Sequence, residues 1–104
     1  GVSRDLFMEA LKAEGIPVHK AHNQPLYKNP VFMEMRFGRT GCPVRCPLYG
    51  KNINYADFHC PVAERIYEKE IVALGKDFLL EREDTDLVLE AIRKIKENID
   101  ELKA

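Results

Sequence analysis

Three cysteines and three histidines are the residues of this 104-residue chain best suited to chemistry. Cys42 and Cys46 stand four positions apart in GCPVRCPLYG, each followed by a proline, and His59 and Cys60 arrive together a little later. A structural zinc site needs about four nitrogen or sulfur ligands closing a tetrahedron. Cys42, Cys46 and Cys60 with His59 or His22 could supply them. The spacing opposes this. His59 and Cys60 are adjacent and would diverge in an extended chain, whereas the second ligand pair of such a site is usually separated by two or more residues. On oxidation Cys42 and Cys46 could instead close a disulfide. Cys60, just before Pro61, sits where a helix start would favour a nucleophilic thiolate with a histidine as base, although the sequence names no third, orienting group. The plain alternative for all three is small, soft side chains packing a proline-rich loop. His19 and His22 flank a strand end, and His22 is the histidine with the better claim to a binding role, against a surface or satisfied core position. GRTGCP at Gly38 lacks the Lys-Ser/Thr of a phosphate loop.

These residues must be held by one modest domain, because a chain of this length supports one core. Basic and acidic residues nearly cancel, 16 against 17, so nothing argues for nucleic acid or an anionic membrane as partner. No apolar run reaches the roughly 20 residues of a membrane span. The opening GVSRDLF is charged and shows no secretory leader, and three cysteines without that context are not a secreted disulfide framework. The expected compartment is the cytoplasm. A start without Met, directly on a helix-like segment, is what a piece of a longer protein would show.

The pattern predicts a first helix over Asp5–Glu14, capped by Ser3 and stopped by Gly15, with Leu6, Phe7, Ala10 and Leu11 on its apolar face. A short strand follows over Ile16–His22, with Pro17 at its start or edge. From Asn23 to Phe58 the chain is irregular, broken by Pro25, Pro30, Pro43 and Pro47 and by Gly38, Gly41 and Gly50. Within it Val31–Phe37 reads equally as strand or helix. Six aromatics along this stretch favour order over disorder. Pro61 suits the first position of a second helix whose apolar face is Val62, Ala63, Ile66 and Tyr67. Glu70–Leu74 reads as a strand ended by Gly75. A last helix, capped by Asp84 or Thr85, carries the stripe Leu87, Val88, Ala91, Ile92, Ile95, Ile99 and Leu102. On its charged face Glu90 is placed for Lys94 at i, i+4. The fold class expected is α/β, in the sense of a two-layer α+β arrangement with a short sheet packed by three helices. Two short strands are marginal alone, so a partner or a missing strand would extend them.

Two stretches carry a resemblance: AEGIPVHKAHNQPLYKNPVF, Ala13 to Phe32, and HCPVAERIYEKEIVALGKDFLLEREDTDLVLEAIRKI, His59 to Ile95. Together they resemble the C-terminal part of the DegT/DnrJ/StrS family of pyridoxal-phosphate-dependent aminotransferases. The shared order is a helix ending in GIP, a strand leading to an aromatic or histidine position, PLY or PLH, a variable loop, a P-x-AER helix, a strand and a final EAI helix. Only Met33 to Phe58 lies outside the resemblance. It implies the small C-terminal domain of a fold type I transferase spanning 1–104, with the 23–58 loop a variable insertion near the substrate entrance. The parent would move an amino group from glutamate or glutamine to a nucleotide-linked keto-sugar or a cyclitol, as a homodimer, with this domain closing on the cofactor domain of the same chain. It implies substrate-facing roles for His22, Asn23 and Tyr27, and a pairing or capping role for Glu64 and Arg65. Pyridoxal phosphate would belong to the parent. The Schiff-base lysine and the acidic partner of the pyridine nitrogen lie elsewhere in that family, so no catalytic or cofactor-binding residue is expected in this stretch and it would be inactive alone. The family's proline after the last strand is replaced here by Gly75-Lys76. Rival readings are a small zinc-binding interaction module built on the cysteines, and a dimerisation module that uses the long final helix. A detached domain would also expose apolar surface and self-associate.

Overall fold

The computed structural model describes residues 1–42, 44–76, 78–79 and 81–103. The break expected at Pro43 lies outside them. The described chain forms two compact units, Gly1–Ala21 with Lys69–Ala104, and His22–Glu68.

The first unit is helical with a two-stranded ribbon. Helix α1 spans Arg4–Ala13. Ser3 caps it: its hydroxyl accepts from the Leu6 amide at 3.3 Å, satisfying one of the first-turn donors that have no helical partner. At the other end Gly15 takes φ +85°, the Gly15 amide donates to the Lys12 carbonyl at 3.0 Å, and the Ile16 amide donates to the Leu11 carbonyl at 2.9 Å. This is a Schellman stop, and the buried pair Leu11 and Ile16 supplies its usual apolar contact. Strand β1, Val18–His19, pairs antiparallel with β2, Ala73–Leu74, with Val18 opposite Leu74 and His19 opposite Ala73. Both strands are shorter than the pattern suggests. Pro17 has no N–H to give a ladder, and only Val18 of the first strand points into the core, so two residues exhaust the pairing.

Helix α4 spans Arg82–Glu97. Its cap is Glu81, not Asp84 or Thr85. Asp84 lies inside the first turn and reaches back, its carboxylate accepting from the Glu81 amide at 3.1 Å. Val88, Ala91 and Ile95 of its stripe are buried with Met8 and Leu11 of α1 and with Ile16 and Val18. Leu87 and Ile92, on the two shoulders of the stripe, remain exposed, as does Leu89. The Lys94 ammonium bonds Glu14 at 2.8 Å, joining the end of α1 to α4. Lys20 and Arg4 bond Asp5 at 2.9 and 3.0 Å, and Lys103 bonds Asp100 at 2.7 Å. Gly15→Ala is expected to destabilise this unit by about 1–2 kcal/mol, because a Cβ is disfavoured at positive φ even where space is open. Thermal melting of the variant checks this.

The second unit is made of turns and short helices. A 3₁₀ turn over Leu26–Lys28 leads into α2, Pro30–Met33, which resolves the Val31–Phe37 ambiguity toward helix. Asn29 caps α2, its side chain accepting from the Val31 amide at 3.2 Å, and Pro30 occupies the first helical position. Another 3₁₀ turn, Tyr55–Asp57, is capped by Asn54. The rings of Phe32, Phe37, Tyr55 and Phe58 pack in tilted pairs with centroids 5.0 to 6.1 Å apart. Val44 and Cys46 are the buried apolar residues of the same proline-rich stretch, while Phe58 at the end of the ring series stays exposed. Helix α3, Pro61–Arg65, begins at proline as the sequence predicts and widens into a π-helical turn over Ile66–Glu70. Val62, expected on its apolar face, is exposed.

Candidate functional site

Two features of the second unit bring the sequence candidates into relation. One is a shallow groove of about 290 Å3 lined by His22, Asn23, Gln24, Pro25, Leu26, Asn29 and Tyr67. The chain reaches it because Pro25 fixes its own φ and is itself buried, which turns the exposed side chains of His22, Asn23 and Gln24 outward around it. The lining holds three carboxamides, an imidazole and a phenol, with no lysine, arginine or carboxylate. Such a surface offers paired donors and acceptors without net charge. His22 and Asn23 are therefore placed together. Tyr67, read from the pattern as part of an apolar helix face, is the lining residue that sequence reasoning missed. The signal that could have found it is its phenol, which a purely apolar face does not need.

The other feature is a buckle centred on Glu64. The Tyr27 hydroxyl donates to Glu64 Oε1. Lys28 Nζ approaches Glu64 Oε2 at 3.2 Å. The Cys60 amide, the free donor at the start of α3, donates to Tyr27 Oη at 3.1 Å and to Glu64 Oε1 at 3.4 Å. A carboxylate beside a helix start is favoured by the exposed amides there. The Tyr27 hydrogen bond, helped by Lys28 and the Cys60 amide, holds the Glu64 carboxyl below the usual carboxylate range, outweighing desolvation. The same bond to Glu64, aided by desolvation, pushes the Tyr27 phenol up. The pairing role expected of Glu64 is thus accounted for. Tyr27, expected beside His22 and Asn23, does not line their groove; its hydroxyl is engaged with Glu64 and Cys60.

The cysteine set is not gathered. Among the described residues no three histidine, cysteine, aspartate or glutamate side chains are grouped to hold a metal ion. Cys42 and Cys60 are exposed and Cys46 is buried, and all three are free thiols. The Cys60 amide is held by Tyr27 and Glu64 at the start of α3. No helix of the described residues is long and apolar enough to cross a membrane.

A small helical unit with a two-stranded ribbon, interrupted in sequence by a unit that carries a neutral polar groove and a carboxylate buckle, is the class these observations define. Within it the chain is similar to two curated proteins. It is 33% identical over 99% of its length to a Streptoalloteichus tenebrarius protein provisionally named an L-glutamine:3-amino-2,3-dideoxy-scyllo-inosose aminotransferase. It is 31% identical over the same share to a Micromonospora echinospora protein of the same name. The chain spans 24% of the length of each of these relatives. No protein-family profile matches it. No solved structure matches it either.

Proposed function

We propose that this chain is the small C-terminal domain of a glutamine-dependent aminotransferase of the DegT/DnrJ/StrS type, acting on a cyclitol. The observation that carries the reading is the alignment across 99% of the chain to proteins named for that chemistry. The ordered motifs GIP, NQPLY and PVAER add support, as does a groove built of neutral donors and acceptors. In this reading the domain is a two-layer element of a fold type I transferase and the parent is a cytoplasmic homodimer. His22 and Asn23 orient the ring hydroxyls of the substrate by hydrogen bonding, and Glu64, through Tyr27, holds the Asn23–Asn29 turn in place.

Pyridoxal phosphate supplies the electron sink for amino transfer when bound. The residues present here do not fit it. Every lysine except Lys28 is exposed, and Lys28 is paired with Glu64 at 3.2 Å. None lines the His22 groove. An enclosed lysine and a carboxylate for the pyridine nitrogen would come from other sequence of the parent. No chemical step is assigned to this chain; it binds and orients.

The test is made on the whole reading frame that contains this stretch. The full-length protein is expected to aminate a keto-cyclitol with L-glutamine. His22→Ala in it is expected to lower kcat/KM about tenfold, the effect of losing one substrate hydrogen bond. A frame that encodes no cofactor-binding lysine, or full-length protein inert with keto-cyclitols and glutamine, overturns the proposal.

A further inference from the structure

The lining of the His22 groove is chemically divided. Its carboxamides and imidazole are polar, but Leu26 and Tyr67 bring a branched alkyl group and an aromatic ring to the same surface. Leu26 is 72% exposed, and its backbone is fixed. Pro25 before it has a locked φ. The 3₁₀ turn that carries it is closed by the Lys28 amide donating to the Pro25 carbonyl and the Asn29 amide donating to the Leu26 carbonyl, both at 3.0 Å. Just beyond it, the Tyr27 hydroxyl and the Lys28 ammonium are both held by Glu64. Glu64 stands on α3 three residues before Tyr67, and the helix widens into its π-helical turn between them. Single π-helical turns are frequent at functional sites. One carboxylate thus ties the turn that carries Leu26 to the helix that carries Tyr67. The apolar parts of the groove are set in place before any ligand arrives.

Neutral donors and acceptors alone would suit any small polyol. Fixed apolar groups among them suit a narrower class. A saturated six-membered ring with equatorial hydroxyls presents those hydroxyls around its rim and C–H bonds on its faces. An axial hydroxyl stands on a face instead, where it would meet carbon and lose its water without a partner. We infer that Leu26 and Tyr67 are specificity-determining residues of this groove. They receive the C–H face of the substrate ring, while His22 and the carboxamides bond the hydroxyls at its rim. Tyr67 acts through its ring, not its hydroxyl. The inference rests on the reading that the groove binds a cyclitol, and within that reading it names the class: rings whose hydroxyls are equatorial.

The test uses the full-length protein with L-glutamine and two keto-cyclitols. One has every hydroxyl equatorial; the other is its epimer with one axial hydroxyl away from the ketone. The wild type is expected to favour the equatorial ring about tenfold or more in kcat/KM. Leu26→Ser and Tyr67→Ala are each expected to lower kcat/KM for the equatorial ring about tenfold and to leave the epimer nearly unchanged, so the preference collapses. A side chain that merely supported the fold would lower both substrates alike. Tyr67→Phe keeps the ring and is expected to keep the preference. Leu26 is exposed, so its variant carries the test even where Tyr67→Ala does not fold. A wild type that uses both rings equally, or alanine and serine variants that keep the preference, overturns the inference and leaves the aminotransferase reading standing. So does a loss of preference in Tyr67→Phe. A wild type inert with both rings strikes that reading itself, and the inference with it.

Discussion

Ile95→Ala is expected to lower the stability of the helical unit by about 2–5 kcal/mol, a large fraction of what a unit this small can hold. Ile95 is 6% exposed and lies in one cluster with Leu11, Ile16, Val18, Val88 and Ala91. Removing three of its carbons leaves a void that α1 and α4 cannot both close, since Ser3 and the Gly15 stop fix the ends of α1. Ile92 is the control. It lies one helical step away but is 36% exposed, so Ile92→Ala is expected to cost under about 1 kcal/mol. Denaturant unfolding followed by far-ultraviolet circular dichroism measures both. Similar losses at the two positions would mean that the shoulder bearing Ile92 is covered.

The second large effect is expected at Glu64. Glu64→Gln removes the charge that gathers Tyr27, Lys28 and the Cys60 amide, and hydrogen exchange at that amide is expected to rise on the order of tenfold. The pH dependence has a definite sign on each side. The Glu64 carboxyl is held below its ordinary 4.5, so its contribution is complete above that value and is lost as pH falls through the lower folded-state value. The Tyr27 phenol is held above its ordinary 10.0, so its contribution is complete below that value and is lost as pH rises through the higher one. Wild-type exchange at Cys60, corrected for the intrinsic rate, should therefore be flat between about pH 5 and 9 and rise in acid. Glu64→Gln should abolish the acid limb. Tyr27→Phe should add little on top of Glu64→Gln, because both act in one network. Additive losses would show that Tyr27 and Glu64 act separately.

Local chemistry made parts of this chain readable. Ser3, Gly15 and Pro61 each satisfy or forgo a particular backbone bond, and each stands where its residue type predicts. The buried Val88, Ala91 and Ile95 follow from helical spacing alone. What was not readable depends on neighbours distant in sequence. Glu64 finds Tyr27 across 37 positions, and Lys94 finds Glu14 across 80. No window of the sequence contains either pair. The last helix starts earlier than Asp84 because Asp84 serves the cap from inside the first turn, a role the same residue type fills as readily as the cap itself. The strands shrank because their ladder depends on a partner's register, not on β-branched composition. In the candidate site, the resemblance named His22, Asn23 and Tyr27 together; His22 and Asn23 line one groove, while the Tyr27 hydroxyl goes to Glu64. Tyr67 was hidden by a helix period that ignores its hydroxyl.

The tethers among Asp5, Lys20, Glu14 and Lys94 lie at the surface, and that has a consequence for the solvent the protein prefers. Sodium chloride near molar strength shortens the reach of such charges to a few ångströms and leaves them nearly idle. The contacts of Leu11, Ile16 and Ile95 are indifferent to that screening, and sulfate, which is excluded from apolar surface, strengthens them. Brine therefore strips this molecule of its ornament and spares its cohesion, and ammonium sulfate tightens it.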